Sequence, residues 1–256
     1  MLGAMIGDIV GSVYEWDNIK TTEFEFFSED CFFTDDTVLT AATAHALVTG
    51  NDYTTTYQDF SRRYPGRGYG GNYSHWIYAE NPQPYNSWGN GSAMRVSPVG
   101  FAFNTVDEVL AEAMRSAVVT HDHPEGIKGA QATALAILMA RQGASQSEIR
   151  DEITIRFNYD LNRTLTEIRP GYSFDVSCQG SVPEAIIAFL ESEHYEDAIR
   201  KAISIGGDSD TIACITGGIA EACYGGVPMD IAQKGKRFLP EEFIQVLEAF
   251  KTKFLN

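Results

Sequence analysis

"HPEGIKGAQATALAILMARQG", residues 123–143, carries both a helix start and a helix stop. Pro124 sits where a first helical turn tolerates it, because the N–H it lacks would have no intrahelical partner there. Gly143 supplies the stop. Asp122 or His123, just before the proline, serves as the start. Working outward, "DEVLAEAMRSAVV" (107–119) has apolar residues at three- and four-residue spacing behind Asp107, read as its N-cap. "SEIRDEITIRF", "VPEAIIAFL", "YEDAIRKAISI" and "PEEFIQVLEAFKTKF" follow the same period. The best strand candidate is the short "TEFEFF" (22–27). The expected fold is therefore all-α, a single domain over residues 1–256 with about ten helices. One long irregular segment is expected from Tyr64 to Ser97.

The chain has 256 residues, 44% of them apolar, enough to bury one large core. Its formal charge of −16 is offset by no local Lys/Arg cluster. That argues against a surface for a nucleic-acid backbone, which needs cations along the contact. A small phosphorylated ligand held by backbone N–H groups and metal ions stays open. The four cysteines form no C-x-x-C pair and read as free buried thiols. "MLGAMIGDIVG" lacks a basic flank and carries Asp8, so it makes a poor signal peptide. No apolar run reaches the ~20 residues of a membrane span. The expectation is a cytoplasmic protein.

Several helices are rich in small residues. Gly3, Gly7 and Gly11 share one helical face, as do Ala213, Gly217 and Ala220. Glycine within a helix costs roughly 0.5–1 kcal/mol against alanine, which close backbone packing would offset. On the first helix Asp8, Ser12 and Glu15 also share a face. It is either a solvated polar face or a set of carboxylates near the packing. "TDDT" (34–37) and "GGDSDT" (206–211) each place two aspartates and a threonine at a helix start. Each alone reads as an N-cap. Together they put four carboxylates on helices that look buried, which is prohibitive without compensation. Hard cations with oxygen-rich shells are the natural neutralisers, two of them if the helix starts meet.

"SWGNGSAM" (87–94) places two glycines where backbone N–H groups could receive phosphate oxygens, or else it is an ordinary Asn-Gly turn. "HDHP" (121–124) resembles a two-histidine metal site but lacks a matching Cys or acidic partner, and His123 reads as structural. His45, inside a helix, reads as a satisfied core histidine. The aromatic residues crowded into 64–88 either stack on a base or pack the loop.

In this order "GAMIGDIVGSVYE", "FTDDTVLT", "GNGSAMRVSPVG", "THDHPEGIKGA" and "GGDSDTIACITGGIAEA" span nearly the whole chain. The set resembles the ADP-ribosylglycohydrolase family, which includes the dinitrogenase-reductase-activating glycohydrolases and the ADP-ribosyl-acceptor hydrolases. The resemblance implies an all-α fold around two Mg2+ or Mn2+ ions. It casts Thr34, Asp35 and Asp36 as ligands from one helix start, and Asp208, Asp210 and Thr211 from the other. It makes Glu15 a glutamate beside the metals, and Glu15, Asp36 and Asp210 the residues of the chemistry. It lays Gly89, Asn90, Gly91, Ser92 and Met94 along the distal ribose and phosphates, with His121 near the ligand. The implied partner is the ADP-ribose moiety of a modified acceptor, cleaved at C1″; an ADP-ribosylated nucleic acid is not excluded as that acceptor.

The alternative is a non-catalytic ADP-ribose-binding or structural member of the same fold. A haloacid-dehalogenase-type phosphatase fits poorly, since "AISIGGDSDT" interposes two glycines before its D-x-D and the chain lacks β-α alternation.

Overall fold

The structure, a computed structural model, describes residues 1–255. Its α-helices begin with α1 (Leu2–Gly11), α2 (Asp35–Thr49), α3 (Tyr53–Arg63), α4 (Gly71–Ile77) and α5 (Gly91–Met94). The chain continues through α6 (Ser97–Ala102), α7 (Val106–Val118), α8 (Pro124–Arg141), α9 (Gln146–Phe157) and α10 (Leu165–Ile168). It ends with α11 (Cys178–Leu190), α12 (Tyr195–Ile203), α13 (Ser209–Cys223), α14 (Met229–Gly235) and α15 (Glu241–Phe254). No sheet forms among the described residues, and one antiparallel bridge joins Gly89 to Ser177.

Local chemistry sets many of these boundaries. Pro124 opens α8, His123 Nδ1 accepts the Glu125 N–H at 3.1 Å, and Gly143 follows the helix at φ +85°. The N-cap of α7 is Thr105 rather than Asp107. Thr105 and Glu108 exchange bonds in a capping box, which satisfies two orphan groups where Asp107 could satisfy one. Ser145 with Glu148 does the same for α9. The 64–97 segment is less irregular than its sequence reads, because α4 and α5 fall within it and α6 begins at its last residue. "TEFEFF" makes no strand. It has no partner strand, and the Arg200 guanidinium lies over the Phe24 and Phe26 rings.

At the centre α1 lies along α13, surrounded by α12, α11, α8 and α2. A Cβ at Gly3 would come within 2.5 Å of the Gly217 carbonyl oxygen, and one at Gly7 would collide with that of Ala213. A Cβ at Gly11 would sit 2.5 Å from Asp210 Cα. Backbone therefore touches backbone along this seam, which offsets the intrinsic cost of three helical glycines. α2 and α8 are buried on most of their circumference and carry alanines and threonines. Of the threonine hydroxyls on α2, Thr43 donates within the helix to Leu39 O at 2.8 Å, whereas Thr37 and Thr40 donate across to Met5 O at 3.5 Å and Met94 O at 3.4 Å. His45 is only partly buried and packs on Phe60, so it belongs to the helix surface rather than the core.

Candidate active site

Asp8, near the C-terminal end of α1, organises the start of α2. Its Oδ2 accepts the N–H of Thr34 at 3.0 Å and of Thr37 at 3.1 Å, and its Oδ1 accepts the Thr34 hydroxyl at 2.7 Å. Thr34 Oγ1 in turn receives the Asp36 N–H at 3.3 Å. The orphan donors of the first turn are thus covered without the side chains of Asp35 and Asp36. The surplus of oxygens in "TDDT" is real: both carboxylates remain available.

The second turn is held from below. Gly206 and Gly207 both adopt φ +74°, a conformation costly for any residue with a Cβ. Asn18 grips Gly207 with both ends of its amide, accepting its N–H at 2.7 Å and donating to its carbonyl at 2.9 Å. Asn90 donates to Asp208 Oδ2 at 2.6 Å, tying the glycine loop to this turn. Thr211 Oγ1 donates to Asp36 Oδ2 at 3.3 Å, so the two helix starts do meet.

Six carboxylates converge: Asp8, Glu15, Asp35, Asp36, Asp208 and Asp210. Oxygens of Glu15, Asp208 and Asp210 all lie within 4.8 Å of one another. Burial is the largest influence on each, and it disfavours charge. It raises Asp8 and Asp208 to about 6. Glu15 rises to about 7, through burial first and then the charges of Asp210 and Asp8. Burial also holds Asp35, Asp36 and Asp210 well above the carboxylate range, reinforced for Asp35 and Asp36 by Asp210 and for Asp210 by Asp208. Asp36 Oδ1 and Asp210 Oδ1 are buried with no hydrogen-bond partner. Unpaired oxygens in an all-oxygen, like-charged cluster match the donor set of a hard divalent cation.

All of the cluster except Asp8 forms one wall of a cavity of about 370 Å³. Every site residue singled out from the sequence lines this cavity except Ser92. Ser92 is fully buried and its hydroxyl donates to Gly126 O at 2.7 Å, leaving only its backbone to face a ligand. The glycine loop is pinned by Asn90 N donating to Val176 O at 2.7 Å and Cys178 N to Trp88 O at 2.9 Å. His121 is buried on the far side, its Nε2 only 3.1 Å from where a Cβ at Gly91 would stand.

Four features of the site lay outside the sequence reading. Asp8 was visible by its spacing to Glu15, but its role as the cap of another helix is tertiary. Asn18 carried no signal. Of the aromatic residues in 64–88, Tyr73 and Tyr85 reach the cavity, while Trp76 packs inside. The rim instead carries Trp16 and Phe174, stacked at 5.1 Å, with Trp16 80% exposed. The fourth, the fully buried Arg95, also borders the cavity.

Residues 1–253 match the family model for ADP-ribosylglycohydrolase. The chain is 29% identical to "ADP-ribosylhydrolase ARH3" of Mus musculus, covering 98% of this chain and 87% of that protein. It is 30% identical to the Homo sapiens protein of the same name, over 88% and 84%. Among solved structures, an "ADP-ribosylglycohydrolase-related protein complex" superposes with a TM-score of 0.70 at 23% identity, over 99% of this chain and 97% of the other. That likeness shows the fold.

Proposed function

The chain belongs to the ADP-ribosylglycohydrolase family, and from that premise we propose that it is a metal-dependent hydrolase that releases ADP-ribose from a modified acceptor. The bond cleaved joins C1″ of the distal ribose to the acceptor, a protein side chain or a small molecule. The observation that carries this reading is the pair of orphaned oxygens, Asp36 Oδ1 and Asp210 Oδ1, within six converging carboxylates.

Thr34, Asp35 and Asp36 from one helix start and Asp208, Asp210 and Thr211 from the other would hold two divalent cations, Mg2+ or Mn2+. Such cations, when bound, supply positive charge that orients ribose hydroxyls and polarises water. Glu15 is the mobile-proton group. Lining the cavity beside Asp208 and Asp210, it accepts a proton from the attacking water and returns one to the departing acceptor atom. The C1″–acceptor bond breaks, a C1″–oxygen bond forms, and the acceptor leaves protonated. The carboxylates around C1″ favour the oxocarbenium-like charge that develops between these events. The Gly91 backbone N–H, with His121 behind it, receives a phosphate oxygen, since the Gly89 and Asn90 N–H groups already donate to Ser87 Oγ at 3.1 Å and Val176 O at 2.7 Å. Four free thiols accord with a reducing compartment, the cytoplasm. No helix among the described residues is long and apolar enough to cross a membrane.

The test is turnover with and without Mg2+ on ADP-ribosyl-arginine, ADP-ribosyl-serine, O-acetyl-ADP-ribose and ADP-ribosylated nucleic acid. Metal-dependent release of ADP-ribose from at least one supports the proposal. ADP-ribose binding with no release from any acceptor overturns it in favour of a non-catalytic reader.

A further inference from the structure

Arg95 is the largest fully buried side chain in the protein, and no carboxylate pairs with it among the described residues. Its guanidinium lies over the Tyr57 ring at 4.4 Å. Only Nη2 is hydrogen-bonded, donating to Ser116 O at 2.8 Å and to Thr120 Oγ1 at 2.9 Å, while Nε and Nη1 have no partner. A buried cation so poorly paired is costly. Its place beside the cavity invites the question of what it holds in position.

The answer lies one bond further on. Thr120 Oγ1 is 2.7 Å from His121 Nδ1, and Thr120 is fully buried. Arg95 can only donate, so the threonine oxygen accepts from it and the threonine proton must find another acceptor. His121 Nδ1 is the acceptor in reach. Were Nδ1 protonated instead, two donors would meet at one oxygen and the buried hydroxyl proton would be orphaned, which is unfavourable. The hydrogen-bond chain therefore runs one way, from Arg95 through Thr120 to His121 Nδ1, and leaves the imidazole proton on Nε2. Nε2 has no partner among the described residues and faces the side-chain-free positions of Gly89 and Gly91. Burial and the nearby Arg95 charge both keep the ring neutral.

We propose that Arg95 and Thr120 are positioning residues that lock His121 as a neutral imidazole with its proton on Nε2, aimed as a donor at an anionic oxygen of the ligand beside the Gly89–Gly91 loop. The tautomer follows from the protein alone. The identity of the acceptor oxygen, on the ADP-ribose diphosphate, rests on the function proposed above.

Thr120→Val removes the linking hydroxyl while keeping the side-chain shape and leaving Arg95 in place, and Thr120→Ser restores the hydroxyl. Nitrogen-15 NMR of His121 in the intact ligand-free protein is expected to show Nε2–H in the wild type and in Thr120→Ser. Thr120→Val is expected to give a mixture of tautomers. Calorimetry with ADP-ribose and Mg2+ is expected to show binding weakened about tenfold in Thr120→Val, the worth of one directed hydrogen bond, with kcat changed far less than KM. A wild-type Nδ1–H tautomer, or a tautomer unchanged in Thr120→Val, overturns the relay. A shifted tautomer with ADP-ribose affinity unchanged overturns its role in binding. Absence of ADP-ribose binding by the wild type would count against the proposed function and leave the tautomer result to decide the relay.

Discussion

Asp8 grips Thr34 twice, through the hydroxyl at 2.7 Å and the backbone N–H at 3.0 Å, although the two residues lie on different helices. A carboxylate on α1 is thereby the cap of α2, and the end of one helix defines the start of the next. Asp8→Ala would orphan the N–H groups of both Thr34 and Thr37. Loss of about 2 kcal/mol is expected, measured by denaturant unfolding in the presence of Mg2+, together with weaker metal binding as the "TDDT" turn loosens.

Asp36→Asn should move stability and function in opposite directions. In metal-free protein it removes a carboxyl whose ionisation is opposed by burial and by the neighbouring like charges, so thermal unfolding in EDTA should occur at a higher temperature than for the wild type. Mg2+ should then raise that temperature less than in the wild type. Turnover should fall roughly 100-fold or more, several kcal/mol being what a bound cation supplies.

The pH dependence of the metal-free protein follows from the same cluster. Asp8 and Asp208 at about 6 and Glu15 at about 7 stay protonated in the fold over a range where the unfolded chain has released its protons. The native state therefore binds more protons between roughly pH 4 and 7, and its stability falls as pH rises through that window. One buried carboxyl shifted by two units is worth about 3 kcal/mol. The midpoint in EDTA should drop by roughly 5 °C or more between pH 5 and pH 8. Excess Mg2+ should flatten the slope, because cations then take the place of protons. A midpoint in EDTA that rises from pH 5 to pH 8 would contradict the convergence.

Gly7→Ala tests the central seam. The new Cβ would meet the Ala213 carbonyl, a backbone atom that cannot rotate away. A cost of roughly 3 kcal/mol is expected, at the upper end of overpacking, along with impaired metal binding because α13 carries Asp210. Gly171→Ala, where nothing lies within 4 Å of the added atom, should stay within about 0.5 kcal/mol of the wild type. Equilibrium unfolding of the two variants side by side makes the comparison.

Much of this was legible in the residues. The bounds of α8, the small-residue faces of α1 and α13, and the paired "TDDT" and "GGDSDT" starts all follow from local spacing and capping, and the structure brings the two starts together. Two misreadings were also local. The T-x-x-E box at Thr105 was present but passed over for Asp107, and the 64–97 segment hides helices of only seven and four residues, too short for periodicity to reveal. The rest was tertiary. Nothing in the neighbourhood of Asp8 announces that it will cap a helix beginning 27 residues later, and nothing around Trp16 foretells Phe174. Arg95 reads as one more charged residue until burial shows that it has no counterion.

The contact of Gly11 with Asp210 has a further consequence. Where side chains mediate a helix contact, rotamers give the spacing some compliance, and small sequence changes can be absorbed. Here two backbones abut, so the separation of the helices carrying Asp8 and Asp210 is a hard-sphere dimension with no soft degree of freedom. The seam works as a gauge block for the carboxylate cage. Adapting the cage to an ion of different radius would have to proceed through the Asp35–Asp36 side or the Glu15 segment, because the α1–α13 spacing has no slack to give.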